Sequence, residues 1–374
     1  MYGTENTENY TLKEGEYFME LTNEQRRCLG LLEVEPYWER VDMGKGNILY
    51  FNGDVIRKWI IDREGHSEEH TYWVKASPEK TKLLPKTKRG KEKKFTLANL
   101  QRMGSEGVYF SFHGHLLIGS ITNQRTLYSS HMAGLSPMSD EEFAVFLKRW
   151  VEETDDVQMA KVKEFAGGTR KHCKYNEGDF FRFAIDRTHY GYGRILLDVI
   201  KRRNLGEKHW DILMGKPLIV KVYHIVTTDP DVTPRILESY PACPAQYIMD
   251  NCVYYGDYEI VGNLPVREEQ EEYPVMYGQS IDARNPDKII LQIGSSYREI
   301  PLSGNRVVPG ISRNNGIGFS LNVDKRILEE CIAAGSNAPY WERDAAYARS
   351  DIRNPKNHLI LKEVLGQFGV EQGT

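Results

Sequence analysis

An α+β protein of two domains is the fold class this 374-residue sequence predicts, the second domain an antiparallel β-sheet or half-open barrel with C-terminal helices packed on it. Three observations lead there. The length exceeds what one ordinary core serves. Short apolar runs broken by Gly, Pro or Asn recur in both halves, as antiparallel strands do. A capped, amphipathic helical stretch in the middle ends at Gly167-Gly168, a C-cap and hinge signal. The predicted domains are therefore residues 1–166, of no recognised family, and residues 169–374.

Taken in order, Thr22-Asn-Glu-Gln opens a short helical pattern through Leu29, Leu31 and Leu32. Runs at 47–51, 54–61 and 72–75 read as a strand meander, parted by Asn52-Gly53 and by a polar loop from Arg63 to His70. Residues 80–94 are dense in Lys and Arg around Pro85 and Gly90; such a composition buries no core and predicts a mobile loop. Strands follow at 107–112 and 115–122. Ser139-Asp-Glu-Glu142 is a capping box, and behind it Phe143, Phe146, Leu147 and Trp150 recur at helical spacing, with Val151 extending the stripe. The helix resumes as far as Phe165.

Beyond Lys174 the runs 179–185, 192–197, 218–225, 257–261, 275–277, 288–293 and 297–301 predict one antiparallel sheet. From Asp324 helices return, with Ile327, Leu328, Cys331 and Ile332 on one stripe and Leu359, Ile360, Val364 and Leu365 on another, placed to cover a face or edge of that sheet. Pro-Tyr-Trp-Glu-Arg occurs at 36–40 and again at 339–343, without flanking similarity, and reads as coincidence rather than a repeat.

Composition narrows the function classes. No apolar leader or membrane-length apolar run is visible, so a cytoplasmic protein is expected. Five scattered cysteines without a CxxC pair read as reduced thiols. A formal charge of -4, from 49 basic and 53 acidic residues, provides no field for direct nucleic-acid binding. Phosphate-loop, nucleophile-elbow and dinucleotide signatures are absent, since Gly191-x-Gly193 lacks a third glycine.

Three histidine or thiol patterns are weighed and set aside. His66-Ser-Glu-Glu-His70 spells an inverted zinc-peptidase motif, but that chemistry needs a helix and strand-like runs flank it, so a solvated hairpin loop is expected. His113-Gly-His115, with His131, lacks an acidic or thiol ligand nearby in sequence. His172-Cys173, Cys243 and Cys252 show nothing that would activate a thiol. No catalytic residue, metal ligand or cofactor is expected.

Five fragments in order carry a resemblance: Tyr175-Asn-Glu-Gly-Asp-Phe-Phe; Gly191-Tyr-Gly-Arg-Ile-Leu; Lys216-Pro-Leu-Ile-Val-Lys-Val-Tyr; the segment from Tyr254-Tyr-Gly-Asp-Tyr to Gly262-Asn-Leu-Pro-Val; and Tyr273-Pro-Val-Met. Over about residues 174–301 the chain resembles the immunity protein 26 family of bacterial polymorphic-toxin systems. It departs from the pattern at Tyr258, where many members carry Trp, and in a long loop from Lys201 to Met214. The resemblance implies an antitoxin that binds a cognate toxin, a nuclease or other effector domain, without a cofactor. The family's alternative label implies a metal-dependent phosphotriesterase-like hydrolase; an interaction scaffold unrelated to toxins is the third reading.

Among the matched residues Gly178, Asp179, Gly193, Gly262, Asn263 and Pro265 read as architecture. Arg194 is suited either to a bidentate contact with a partner's carboxylate or phosphate, or to an internal ion pair. The acidic run Glu268, Glu269, Glu271 and Glu272 is suited to a basic toxin cleft, with Tyr254 and Tyr255 as aromatic contacts.

Overall fold

The computed structural model describes residues 20–207, 210, 215–270, 272–280, 286–294, 296–309, 311, 328, 339–342 and 346–370. It is an α+β chain of two compact units, Met1–His131 with Leu135–Arg170 and Met132–Gly134 with Lys171–Thr374. Among the described residues no helix is long and apolar enough to cross a membrane.

The first unit opens with α1 (Asn23–Leu29), whose Thr22 and Gln25 side chains form a reciprocal capping box and whose end at Gly30 is left-handed. Strands β1 (Glu39–Gly44), β2 (Asn47–Asn52), β3 (Val55–Arg63), β4 (His66–Ala76), β7 (Glu106–Phe112), β8 (Leu116–Ser120) and β9 (Thr126–Ser129) pair in that order as an antiparallel meander. Between β4 and β7 run β5 (Lys82–Leu84), β6 (Lys93–Lys94) and α2 (Leu97–Met103). Helix α3 (Asp140–Glu152) carries the capping box of Ser139 and Glu142 and buries Phe143, Phe146, Leu147 and Trp150. Phe143 stacks on Phe112 at 4.0 Å, and the Trp150 indole donates to the Cys28 carbonyl at 3.0 Å, tying α3 to α1. Helix α4 (Asp156–Ala166) completes the unit.

Two expectations fail here. Residues 66–70 are strand, not loop: Ser67 and Glu69 point inward while His66, Glu68 and His70 stay half-exposed. Polar residues can continue a strand into the core because Glu69, 2 % exposed, accepts hydrogen bonds from Lys58 Nζ at 2.6 Å and from the Arg26 guanidinium at 2.8 Å. The basic stretch 80–94 also pairs, as the ribbon β5–β6 on β4, anchored by the fully buried Leu83.

In the second unit β10 (Asp179–Ala184), β11 (Tyr190–Asp198), β12 (Pro217–Thr227), β13 (Gln246–Met249) and β14 (Glu259–Asn263) form a five-stranded antiparallel sheet ordered β13-β12-β11-β10-β14. Short helices α5 (Val199–Asn204), α6 (Pro234–Leu237) and α7 (Asn251–Tyr254) lie in its connections. The remaining strands, β15 (Val275–Gln279), β16 (Lys288–Ile293) and β17 (Ser296–Pro301), make a separate three-stranded sheet rather than extending the first. Helix α8 is Ala346–Ser350, and α9 (His358–Gln367) packs Val364 and Leu365, with Phe368 just beyond, against Val275, Tyr277, Ile289 and Leu291 of the smaller sheet. The tail stripe is therefore turned from the predicted one, Leu359 being 69 % exposed. Of the earlier tail stripe, Leu328 is buried with the larger sheet's core; Ile327, Cys331 and Ile332 lie outside the described residues.

The two Pro-Tyr-Trp-Glu-Arg copies are used differently. In the first Trp38 is buried and Tyr37 exposed, whereas in the second Tyr340 is the buried ring.

Candidate functional site

Strand β11 meets β10 through two glycines. A Cβ on Gly193 would lie 2.4 Å from Phe181 Cζ and 2.7 Å from the Lys221 carbonyl; one on Gly191 would lie 2.5 Å from Phe183 Cζ. Phe181 faces Gly193 and Phe183 faces Gly191 across the ladder, so each glycine is the seat of a phenyl ring. Gly178 has φ +90 and no room for a Cβ, which would meet the Leu264 carbonyl at 2.3 Å. Asp179 accepts from the Asn176 amide at 2.6 Å and from Asn263 Nδ2 at 2.7 Å, and the Leu264 amide donates to the Gly178 carbonyl. Gly262 lets the Pro234 ring approach. These contacts hold the chain from β14 into residues 264–270, a strap across the sheet's connections.

Arg194, next to Gly193, closes the strap from below. Only 2 % exposed, its Nη2 donates to the carbonyls of Leu264 (2.7 Å) and Pro265 (2.9 Å), and its Nη1 to Glu238 Oε1 (2.9 Å) and Gln270 Oε1 (3.2 Å). The guanidinium lies over the Phe180 ring, 4.7 Å from its centroid. Burial pushes the neighbouring Tyr223 hydroxyl up to about 12 against the opposing pull of Arg194. Arg194 thus directs both Nη groups at partners inside the chain, and any part it has in recognition is to position the strap.

The acidic run divides. Glu268 is exposed at the start of a 3-10 turn, Glu268–Gln270, which Gln270 fixes by donating to Glu238 at 3.0 Å. Glu272 is engaged: it pairs with Lys221 Nζ at 2.8 Å, lies 3.7 Å from Arg353 and accepts from the Ala245 amide at 2.9 Å. Glu271 and the Glu269 side chain lie outside the described residues. Sequence reading missed Glu238, Gln270, Lys221 and Arg353, which come from separate elements and carry no local signal.

Tyr254 and Tyr255, at the end of α7, stand edge to face at 5.2 Å, and the His172 ring stacks on Tyr254 at 4.9 Å with Lys216 Nζ 5.9 Å from the same ring. Both tyrosines are half-buried, an aromatic patch with a cationic edge. Close by, the Tyr175 hydroxyl donates to Asp250 at 3.0 Å; burial raises the Asp250 carboxyl above its ordinary range despite that bond. A cleft of about 390 Å³ beside Glu272 is lined by Tyr240, Pro241, Pro244, Tyr340 and Trp341.

The histidines that a binuclear hydrolase centre would draw on in this unit are dispersed. His189 is bound to Asp186 at 2.9 Å, His224 is buried beside Tyr340, and His209 lies outside the described residues. The described cysteines, Cys28, Cys173, Cys243 and Cys252, form no disulfide, and burial pushes the Cys252 thiol up to about 12, far from a reactive thiolate.

No curated protein and no solved structure matches this chain. A family model does: residues 176–287 match Immunity protein 26, from just before β10 through the whole five-stranded sheet, the strap and β15. The resemblance is thereby found in the part of the chain built around Arg194, and the match supports an immunity protein of toxin systems.

Proposed function

We propose that this chain is an antitoxin that binds a cognate bacterial toxin through its second unit and blocks the toxin's active site or substrate groove. The match over residues 176–287 carries this reading, because it spans the complete sheet and the strap rather than one motif. The strap offers Glu268 to solvent on a backbone tied down by Arg194 and Glu238, so little ordering entropy opposes binding there. Its charge suits a basic cleft such as that of a nuclease, while Tyr254 and Tyr255 have the size and partial exposure of interface anchors. Glu272 and Arg194 act behind the strap as positioning residues.

Co-expression with the toxin domain encoded next to this chain's gene tests the reading by survival and co-purification. The intact chain is expected to rescue growth and form a stable complex. Glu268→Lys and the pair Tyr254→Ala, Tyr255→Ala are expected to weaken the complex at least tenfold while remaining folded. Failure of the intact chain to rescue or co-purify refutes the antitoxin, and variants that bind as the parent does refute the assigned surface.

A further inference from the structure

On β4 the alternation of a strand places His66, Glu68 and His70 on one face, and β7 delivers His113 beside them. His66 Nε2 lies 2.9 Å and His113 Nε2 3.6 Å from the same carboxylate oxygen, Glu68 Oε1. The two imidazole centroids are 3.7 Å apart, and donor atoms of all three residues lie within 4.8 Å of one another. Among the described residues this is the one group of three or more His, Cys, Asp or Glu donors so placed.

We propose that His66, Glu68 and His113 form a binding site for a divalent transition-metal ion of the zinc type. Two imidazoles and a carboxylate suit such ions, whose bonds to nitrogen and oxygen are about 2.0–2.2 Å. Tetrahedral bonds of that length put donors about 3.3 Å apart, and the separations of 2.9 and 3.6 Å fall on either side of that value. Each imidazole then carries its proton on Nδ1 and presents the Nε2 lone pair, and three protein donors leave a fourth position for water.

The frame around these residues is built as a metal site's surroundings are. His70 Nε2 donates to Glu68 Oε2 at 2.8 Å, holding the carboxylate with Oε1 turned toward the other two rings. Both turns that carry the imidazoles are fastened to the entry of α3: the Gly65 amide donates to Asp140 Oδ2 at 3.1 Å, and the Met138 amide donates to the Gly114 carbonyl at 2.7 Å. His113, 57 % exposed, has room to turn onto an ion, while His66 and Glu68 are held at about a quarter exposure.

The test uses the full chain, purified without a histidine tag and stripped with chelator. Zn²⁺ is titrated by calorimetry and Co²⁺ by visible absorption. One equivalent is expected to bind, with affinity lowered at least tenfold in His66→Ala, Glu68→Gln and His113→Ala and about 10–100-fold in His70→Ala. His115→Ala is expected to bind as the parent does. Thermal melts verify that each variant folds. For an assay free of substitutions, ¹⁵N-histidine spectra of the parent chain should show the Nε2 signals of His66 and His113 shifting with Zn²⁺. The proposal is overturned by the absence of saturable binding, by unchanged binding in His66→Ala and His113→Ala, by a thiolate-to-cobalt charge-transfer band, or by shifts confined to other histidines.

Discussion

Replacing Arg194 by Met removes the guanidinium that ties the Leu264 and Pro265 carbonyls of the strap to β11, with side-chain volume largely kept. The Leu264 and Pro265 carbonyls lose their donor, each at a cost of about 1–3 kcal/mol if left dry. Glu238 loses its cation too, but at 24 % exposure water takes over part of that role. The sum falls in the range of about 3–5 kcal/mol for breaking a buried pair from one side. Much of this is relieved by releasing the strap into water, so the loss appears as local opening. Amide hydrogen exchange over residues 259–270 is the direct assay. At about 1.4 kcal/mol per factor of ten, exchange there should speed up roughly a hundred- to several-thousand-fold, with the first unit unchanged. Arg194→Lys should do nearly as badly, since one ammonium cannot serve two carbonyls and two side chains in a fork. Exchange within threefold of the parent in both variants would refute the clamp.

Gly193→Ala sets a Cβ 2.7 Å from the backbone carbonyl of Lys221, on the neighbouring strand, and should cost about 1–3 kcal/mol by denaturant unfolding of the second unit; a loss under about 0.5 kcal/mol would mean that the strands shift freely. In the first unit, Glu69→Ala leaves Lys58 and Arg26 buried without their shared carboxylate and should cost about 3–5 kcal/mol, read from a thermal melt; an unchanged melt would mean that water enters there. Asp250 titrates higher in the folded state than its ordinary 3.8, so the native chain keeps this proton longer than the unfolded one. Its contribution to stability accordingly falls as pH rises from 3.8 to the folded value and stays low above it. Asp250→Asn should abolish that slope and be at least as stable at neutral pH, the Tyr175 hydroxyl now donating to the amide oxygen; a variant less stable at neutral pH with the slope intact contradicts this.

Local signals in the chain were legible. The boxes at Thr22 and Ser139 and the stripe Phe143, Phe146, Leu147 and Trp150 report interactions within one or two turns of helix, so their residues suffice to identify them. The longer apolar runs of both units were legible as strands because alternation too is a local signal, and so was the resemblance carried by the fragments from Tyr175 to Tyr273. Strands β9 and β13 escaped notice because four residues hold too little alternation to stand out, and β1 because its Glu39-Arg-Val-Asp-Met-Gly run is largely polar.

What the sequence by itself determined is therefore the α+β class, the main strands and helices with their caps, and the resemblance of about residues 174–301 to the immunity protein 26 family, whose model matches residues 176–287. Tertiary structure alone decided which polar groups meet. Whether Arg194 faces a partner or the chain's own carbonyls depends on β14 and the strap returning over β11, some seventy residues later. Whether His66 shares a face with Glu68 depends on Lys58 and Arg26 neutralising Glu69, which lets β4 continue through a stretch that reads as loop. His113 reaches that face because β7 pairs with β4. Pairwise electrostatics and strand pairing act between residues distant in sequence, and a linear pattern holds no record of which distant residues become neighbours.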